Sequence, residues 1–170
     1  EAKRLIVQGG VQLNEARAAD PWPGSGGTKI AETGASESLP SGSEPSGGVW
    51  HPGLDALLIA DDNGRLSRID ASGGNVATWA IGGDLEGVTF IDPSSDLVYL
   101  GRERPDAVIE FDLATGLATG NTWDLTPWMT GDSNLGLEAL TYANGRFYAG
   151  HQGEGLVIGR TDRARSGHEA

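Results

Sequence analysis

Hydrophobic and polar residues follow a short-range pattern over positions 49–160, in runs of a few residues separated by turn residues. Residues 65–70 alternate between polar and apolar side chains, and residues 56–60 form a compact apolar run. The Asp-Asn-Gly sequence at 62–64 stands between these two runs and favours a tight hairpin turn. The pattern therefore predicts short antiparallel strands joined by hairpins.

One sequence motif returns three times, at residues 45–50, 85–90 and 137–142. Each copy leads through a turn into an apolar run and a hairpin, so a single structural unit is repeated. Equivalent positions lie 40 residues apart in the first two copies and 52 residues apart in the last two. A loop at residues 124–134 accounts for the longer spacing. Units of about 40 residues with four strands each are typical of propeller blades.

We predict an all-β fold, a partial β-propeller of about three four-stranded blades at residues 49–83, 84–136 and 137–160. Residues 1–48 are predicted to hold an N-terminal strand and a linker rich in Gly, Ser and Pro, and residues 161–170 a polar tail. Complete propellers have about four to eight blades. We therefore expect the open edges to be covered by a partner chain or self-assembly that completes the propeller, by an N-terminal strand, or by residues that this sequence lacks.

The net charge of the chain limits the kinds of molecule that it is expected to bind. The 170 residues include 12 basic and 24 acidic side chains, a formal net charge of −12. This charge repels phosphate backbones and anionic lipids, which argues against nucleic acid and membrane surfaces. It favours cations, either as bound calcium, as a diffuse ionic atmosphere or as the salt of a saline habitat. No apolar run approaches the roughly 18 residues of a membrane span. The absence of cysteine excludes disulfides and thiolate chemistry. The start at Glu1 and the Gly-rich and Ser-rich composition lead us to expect a secreted or cell-surface protein.

The segment at residues 84–93, continued at 111–116, resembles the SdiA-regulated family of bacterial propellers and the esterase-like domain of phytase-related proteins. It is also similar to gluconolactonase and regucalcin-like propellers. The resemblance covers residues 45–160 and implies a bacterial propeller whose axial channel holds calcium or another divalent ion. These families share no single reaction, so the fold alone does not assign one. Ser46 departs from the pattern, because the other two copies carry glutamate there.

Glu86 and Glu138 occupy that equivalent position, at the start of the innermost strand of a blade, where side chains can point toward the axis. Two carboxylates there can bind a hard cation such as calcium or raise each other's pKa for acid–base catalysis. They can also accept backbone N–H groups of a neighbouring strand in a structural role. The residues themselves are compatible with all three interpretations.

Alignment of the hairpins adds candidates at the ends of the second strands. One set of equivalent positions holds Asp61, Arg102 and His151, and the next set holds Asp62, Glu103 and Gln152. The predicted metal ligands are Glu86, Glu138, Glu103, Asp61 and Asp62, and the predicted substrate-binding residues are Arg102, Arg104, His151 and Trp128. Turn chemistry at the aspartates and solvated surface ion pairs would explain several of these residues without any ligand.

Two functions agree with these residues. We expect a calcium-stabilised binding or scaffold module that presents its loops to an extracellular protein partner. The alternative is a metal-dependent hydrolase of phosphate esters or lactones, in which Glu86, Glu138 and Glu103 surround the ion and Arg102 or His151 orients the substrate. The sequence favours the binding module, because it contains no Gly-x-Ser-x-Gly elbow and no short histidine spacing of a zinc site.

Overall fold

The structure, a computed structural model, describes residues 6–7, 10–11, 39–132, 135–153 and 157–160. Strands and turns form this part of the chain, which contains no helix and hence none that could cross a bilayer. The strands are β1 (Ile6–Val7), β2 (Gly10–Val11), β3 (Pro45–His51), β4 (Ala56–Asp61), β5 (Arg65–Asp70), β6 (Ala77–Ala80), β7 (Asp84–Phe90), β8 (Leu97–Glu103), β9 (Ala107–Asp112), β10 (Leu117–Asp124), β11 (Leu137–Ala143), β12 (Arg146–His151) and β13 (Val157–Arg160). The predicted all-β fold is confirmed over these residues.

The strands form sheets in which neighbours in the chain are neighbours in space. The first sheet contains β3 to β6 and the second contains β7 to β10, while the third has β11 to β13 among the described residues. Within the described part of the chain, β1 and β2 form a separate two-stranded sheet. β3 begins at Pro45, inside the segment predicted as a linker. Most of that segment and the predicted tail at 161–170 lie outside the described residues. The repeated meander is the unit that the recurring motif predicts.

Residues suited to positive φ angles close the hairpins. Asn144 and Gly145, between β11 and β12, have φ angles of 52° and 78°. Two consecutive positive φ angles define the type I′ turn that suits the twist of antiparallel strands. Between β4 and β5, the backbone N–H of Asn63 donates to Asp61 at 2.8 Å, and Gly64 has a φ of 73°. The turn residues read from the sequence therefore form the expected hairpins.

The second sheet lies between the other two, and both of its faces are buried. Leu100 and Phe111 on one face belong to a core that includes Leu58 and Leu66 of the first sheet. The opposite face contributes Tyr99 to a second core shared with the third sheet. Sheets stacked in this radial order are the arrangement of propeller blades. The described strands form an open part of a propeller and do not close into a ring.

The first strand of each sheet lies at the inner edge, where β7 contacts both β3 and β11. A Cβ atom added at Gly47 would lie 2.7 Å from the carbonyl oxygen of Glu86. One added at Gly87 would lie 2.8 Å from the backbone nitrogen of Leu140. Side chains are excluded at such distances, so glycine is what lets the backbones of successive inner strands approach each other.

We expect Gly87→Ala to lower the free energy of unfolding by about 2 kcal/mol, because the added methyl group meets backbone atoms that cannot move independently. Gly74→Ala is the matched control, since its Cβ would lie 3.4 Å from the nearest atom, an ordinary contact. Urea titrations of both variants measure the difference. Equal effects of the two substitutions would contradict the close packing of β7 against β11.

Candidate functional site

A β-bulge interrupts the inner strand of each of the three larger sheets at the same position of the repeat. Pairing shifts by one residue between Pro45 and Gly47, between Leu85 and Gly87, and between Leu137 and Ala139. The extra residues are Ser46, Glu86 and Glu138. Bulges re-aim side chains and are over-represented beside functional sites. The repeated position recognised in the sequence is therefore a repeated backbone feature.

The neighbouring strand places a second polar position beside each bulge. Asp84 pairs with Glu103 in the second sheet. In the first sheet the N–H of Asp62 donates to the carbonyl of Glu44 at 3.1 Å, and in the third sheet the N–H of Gln152 donates to that of Gly136 at 3.0 Å. This pairing confirms the hairpin alignment that made Asp62, Glu103 and Gln152 equivalent.

Three carboxylates meet where the first and second sheets adjoin. One oxygen from each of Asp62, Asp84 and Glu86 lies within 4.8 Å of the others. Asp62 is exposed, whereas Asp84 and Glu86 are half-buried. Arg104 forms an ion pair with the Oδ2 atom of Asp84, while Asp84 Oδ1 is buried and has no hydrogen-bond partner. Oxygen ligands of this kind suit a hard divalent cation.

Burial and the crowding of negative charges raise the pKa values of the carboxyl groups at this junction. Burial, followed by the charges of Asp62, Glu138 and Asp84, raises the pKa of Glu86 to about 8. Burial and the charges of Glu103, Asp62 and Asp84 also raise the pKa of Glu138. Burial is the main cause of a raised pKa at Asp62, where a hydrogen bond from Ser46 acts in the opposite direction. A proton or a bound cation on Glu86 relieves this repulsion.

Glu103 and Asp61 are buried and bind backbone groups. The Oε1 atom of Glu103 accepts the N–H of Gly136 at 2.9 Å, and its Oε2 atom pairs with Arg104 at 2.9 Å. Asp61 accepts the N–H groups of Glu44 at 2.9 Å and Asn63 at 2.8 Å. These two carboxylates thus accept backbone N–H groups in the way that was considered for the repeated glutamates. Their assignment as metal ligands stays a prediction.

Asp106 completes this capping in the loop after β8. Its Oδ1 atom accepts the N–H of Leu137 at 2.8 Å, next to the bond between Glu103 and Gly136. Two carboxylates of the second sheet therefore satisfy backbone donors at the start of β11 in the third sheet. These bonds join adjacent sheets, because each crosses from a β8–β9 residue to the inner strand of the next unit.

The predicted substrate-binding residues are spread over this end of the sheets. Arg104 pairs with Asp84 and Glu103, and its hydrogen bond to Asp84 raises its pKa. The Nε atom of Arg102 donates to the carbonyl of Pro105 at 3.3 Å, and its side chain passes over Gly83. His151 is 5% exposed, opposite Leu137, whereas Trp128 is exposed between β10 and β11. Their role in substrate binding stays a prediction.

The sequence reading missed Asp84 as a member of the carboxylate group. A signal was present, because Asp84 and Glu86 stand two residues apart in a strand, and positions i and i+2 share a face. The recurring motif does not include Asp84, because this position is not the same in the three copies. The first copy has Glu44 there and the third has Gly136. The carboxylate group thus belongs to one junction between sheets and is not repeated in all three.

Comparison with known proteins gives limited likenesses. No family profile and no curated protein matches the chain. Raptor from Chaetomium thermophilum aligns at 12% identity and a TM-score of 0.48 over 62% of this chain and 10% of its own. The glutaminyl cyclase from Myxococcus xanthus aligns at 15% identity and a TM-score of 0.49 over 62% of this chain and 50% of its own. The chain thus spans half or less of these two proteins, and the fold assignment rests on its own strand topology.

The pKa of Glu86 predicts how stability depends on pH when divalent cations are removed. Between about pH 4.5 and about pH 8 the folded protein retains a proton that the unfolded chain has released. The free energy of unfolding therefore falls as the pH rises through this range. We expect Glu86→Gln to raise stability at pH 8 by about 1 kcal/mol, a value reduced for solvent screening of a half-buried group.

Urea titrations in a chelator at several pH values measure this effect. Asp96→Asn serves as the control, since it removes one negative charge from an exposed turn between β7 and β8. We expect the control to keep the pH slope of the wild type and Glu86→Gln to flatten it. If the stability of Glu86→Gln and that of the wild type have the same pH slope, the pKa of Glu86 is not raised in the folded protein and the prediction is wrong.

Proposed function

We propose that this protein is a secreted or cell-surface propeller module that binds a protein partner and is stabilised by calcium. The observation that carries the proposal is the approach of three carboxylates to within 4.8 Å, one of which has a buried oxygen with no hydrogen-bond partner. Such a group is unfavourable when it is fully ionised and empty of cations. A bound divalent cation converts that repulsion into attraction.

Calcium fits this donor set better than softer or smaller metals. All the donors are carboxylate oxygens, and calcium accepts 6–8 oxygen ligands in flexible geometry. The group contains no histidine or cysteine, the donors that zinc and copper prefer. Asp62 is exposed, so water can supply further ligands. Partly exposed sites of few protein ligands bind weakly, in the range of extracellular calcium, and this supports a location outside the cytosol.

The binding role is supported by the ion pairs of Arg104, which engage this side chain within the protein. Arg104, a candidate for holding an anionic substrate, forms ion pairs with Asp84 and Glu103. The outer faces of the first and third sheets carry exposed side chains, where a partner could complete the open propeller. The recurring motif at the inner strands supports a relation to SdiA-regulated propellers as part of this proposal.

A metal-dependent hydrolase of phosphate esters or lactones is the second candidate. It is favoured by one observation, the pKa of about 8 at Glu86, because a carboxyl group that titrates near neutral pH can act as a general acid or base. In this role Glu86 would move a proton at the substrate while the neighbouring aspartates hold the cation. The binding module takes precedence because it needs no substrate-orienting residue.

Calcium should raise the thermal stability of the protein. At a concentration about a hundredfold above its dissociation constant, a ligand that binds only the folded state adds about 2.7 kcal/mol. We expect a corresponding rise in the melting temperature over the value in a chelator. Glu86→Gln should lose most of this rise, and Asp96→Asn should keep it. Scanning calorimetry with calcium, with magnesium and with chelator measures the effect.

The same samples distinguish the two candidate functions. Calcium stabilisation without turnover of lactones or phosphate esters supports the binding module. Turnover that Glu86→Gln abolishes while the melting temperature stays near that of the wild type supports the hydrolase. Melting temperatures that are identical in calcium and chelator would contradict the calcium proposal for either function.

A further inference from the structure

The first sheet packs one face on the second sheet and turns its other face away. Leu58 lies in the core between the two sheets, so its neighbours Leu57 and Ile59 point to the other side. Trp50, Leu57 and Ile69 form one row there, and Ile59 stands in the next. Trp50 is 36% exposed, and the other three are half-buried. We call the surface of Trp50, Leu57, Ile59 and Ile69 the apolar face. Adjacent large apolar side chains on one side of a sheet mark a docking site.

The chain enters the first sheet through a turn at one end of β3. Residues 39–44, which we call the entry segment, contain a hydrogen bond of 3.1 Å from the N–H of Ser43 to the carbonyl of Pro40. Gly42 has a φ of 74° in this turn. Because a β-turn reverses the chain, the direction of the chain at Leu39 is opposite to that of β3. Leu39 and Pro40 are half-buried.

Side chains at the end of the β4–β5 hairpin hold the entry segment by its backbone. Arg65 Nη2 donates to the carbonyl of Gly42 at 2.6 Å, and Asn63 Nδ2 donates to the same carbonyl at 2.9 Å. The N–H of Glu44 donates to Asp61 Oδ2 at 2.9 Å. Hydrogen bonds in which one group is charged are stronger than those between neutral groups. Several bonds of this kind therefore fix the position of the entry segment on the hairpin.

These bonds place the entry segment on the side of the sheet that carries the apolar face. Asp61 and Arg65 pair across β4 and β5, in the row next to that of Ile59. Alternate residues of a strand share a face, so Asp61 points to the same side as Ile59. Asp61 is 2% exposed where the entry segment binds it. The entry segment thus covers one row of this side, and the apolar rows beside it are left partly exposed by the described residues.

The chain before Leu39 is long enough to reach every part of the apolar face. Ile30 lies nine residues before Leu39, a distance of up to about 30 Å in an extended chain. Four adjacent strands span about 15 Å. Between residues 14 and 38 the sequence contains two large apolar residues, Trp22 and Ile30. These two side chains are candidates to cover the apolar face.

We propose that the apolar face is the docking site of the chain's own N-terminal segment, residues 1–38, with Ile30 and Trp22 as its anchors. The entry segment already brings the chain to this side of the sheet. A segment attached there docks without the entropic cost of joining two separate molecules. Burial of the anchors against Leu57, Ile59 and Ile69 removes apolar surface from water on both sides of the contact.

This inference goes beyond the proposed function and does not depend on it. It assigns an occupant to the first sheet and leaves the third sheet for a protein partner. It also makes no use of the carboxylate group, so samples in chelator test it separately from the calcium proposal. A docked segment in chelator would leave this inference intact even where calcium has no effect on stability.

A nitroxide spin label beside Ile30 tests the docking in the full chain. The sequence contains no cysteine, so Thr28→Cys provides a single attachment point. The label broadens the nuclear magnetic resonance signals of nearby amide groups in the isotopically labelled protein. We expect broadening at the residues of the apolar face. Thr141 should keep sharp signals, because it lies on β11 and the second sheet separates it from the first.

Substitutions on either side of the contact distinguish docking from the mere proximity of a tethered segment. Ile59→Lys on the apolar face and Ile30→Ser in the N-terminal segment should each lower the ratio of docked to undocked chains by about tenfold. Most of the broadening at Leu57 and Ile69 should then disappear. Leu117→Lys is the matched control, because Leu117 is 66% exposed on β10, and it should keep the broadening. Broadening that survives both substitutions unchanged would overturn the proposal.

A mixed sample distinguishes the chain's own segment from other occupants of the apolar face. In this sample one population carries the spin label and the other carries the isotopes. We expect no broadening of the apolar face here, because each segment docks on its own sheet. Broadening in the mixed sample would assign the face to a second copy of the chain. An apolar face without broadening in either sample would leave it to a separate protein, and each of these two results would overturn the proposal.

Discussion

The close approach of the inner strands is the constraint on which the rest of this structure depends. β7 contacts β3 on one side and β11 on the other, and glycines at 47 and 87 leave no side chain between the backbones. Because the inner edges are so near, the outer parts of the sheets must splay, and the apolar side chains of the second sheet fill the wedges on both sides. The radial packing of the described sheets and the two cores between them both follow from this contact.

The same constraint determines the chemistry at the ends of the inner strands. The bulges aim Ser46, Glu86 and Glu138 into a region where neighbouring sheets adjoin, and Asp62 and Asp84 reach the same place from flanking positions. Arg104 neutralises part of the charge. The remainder favours a proton on Glu86 or a cation between the carboxylates.

Much of the fold could be predicted because it depends on local patterns. Alternation, the turn residues and the repeated motif indicate hairpins. The hairpin alignment made Asp62, Glu103 and Gln152 equivalent, and the observed strand pairing agrees with it. The site was harder to predict, because proximity across sheets is not a property of any one repeat. The carboxylates that cap β11 come from Glu103 and Asp106 in another unit, and Asp84 joins Glu86 in one copy only. Trp50 matches Phe90 and Tyr142 in the motif yet is exposed, since the sheet that would cover it is not among the described residues.

The contact between Gly87 and Leu140 is the most direct test of this arrangement. Nuclear Overhauser spectra of the isotopically labelled protein report short proton distances within and between strands. We expect a strong cross-peak between an α-proton of Gly87 and the amide proton of Leu140, in addition to the cross-peaks within each sheet. A spectrum with the predicted pairing inside the sheets, but without that cross-peak between them, would contradict the radial packing of the inner strands.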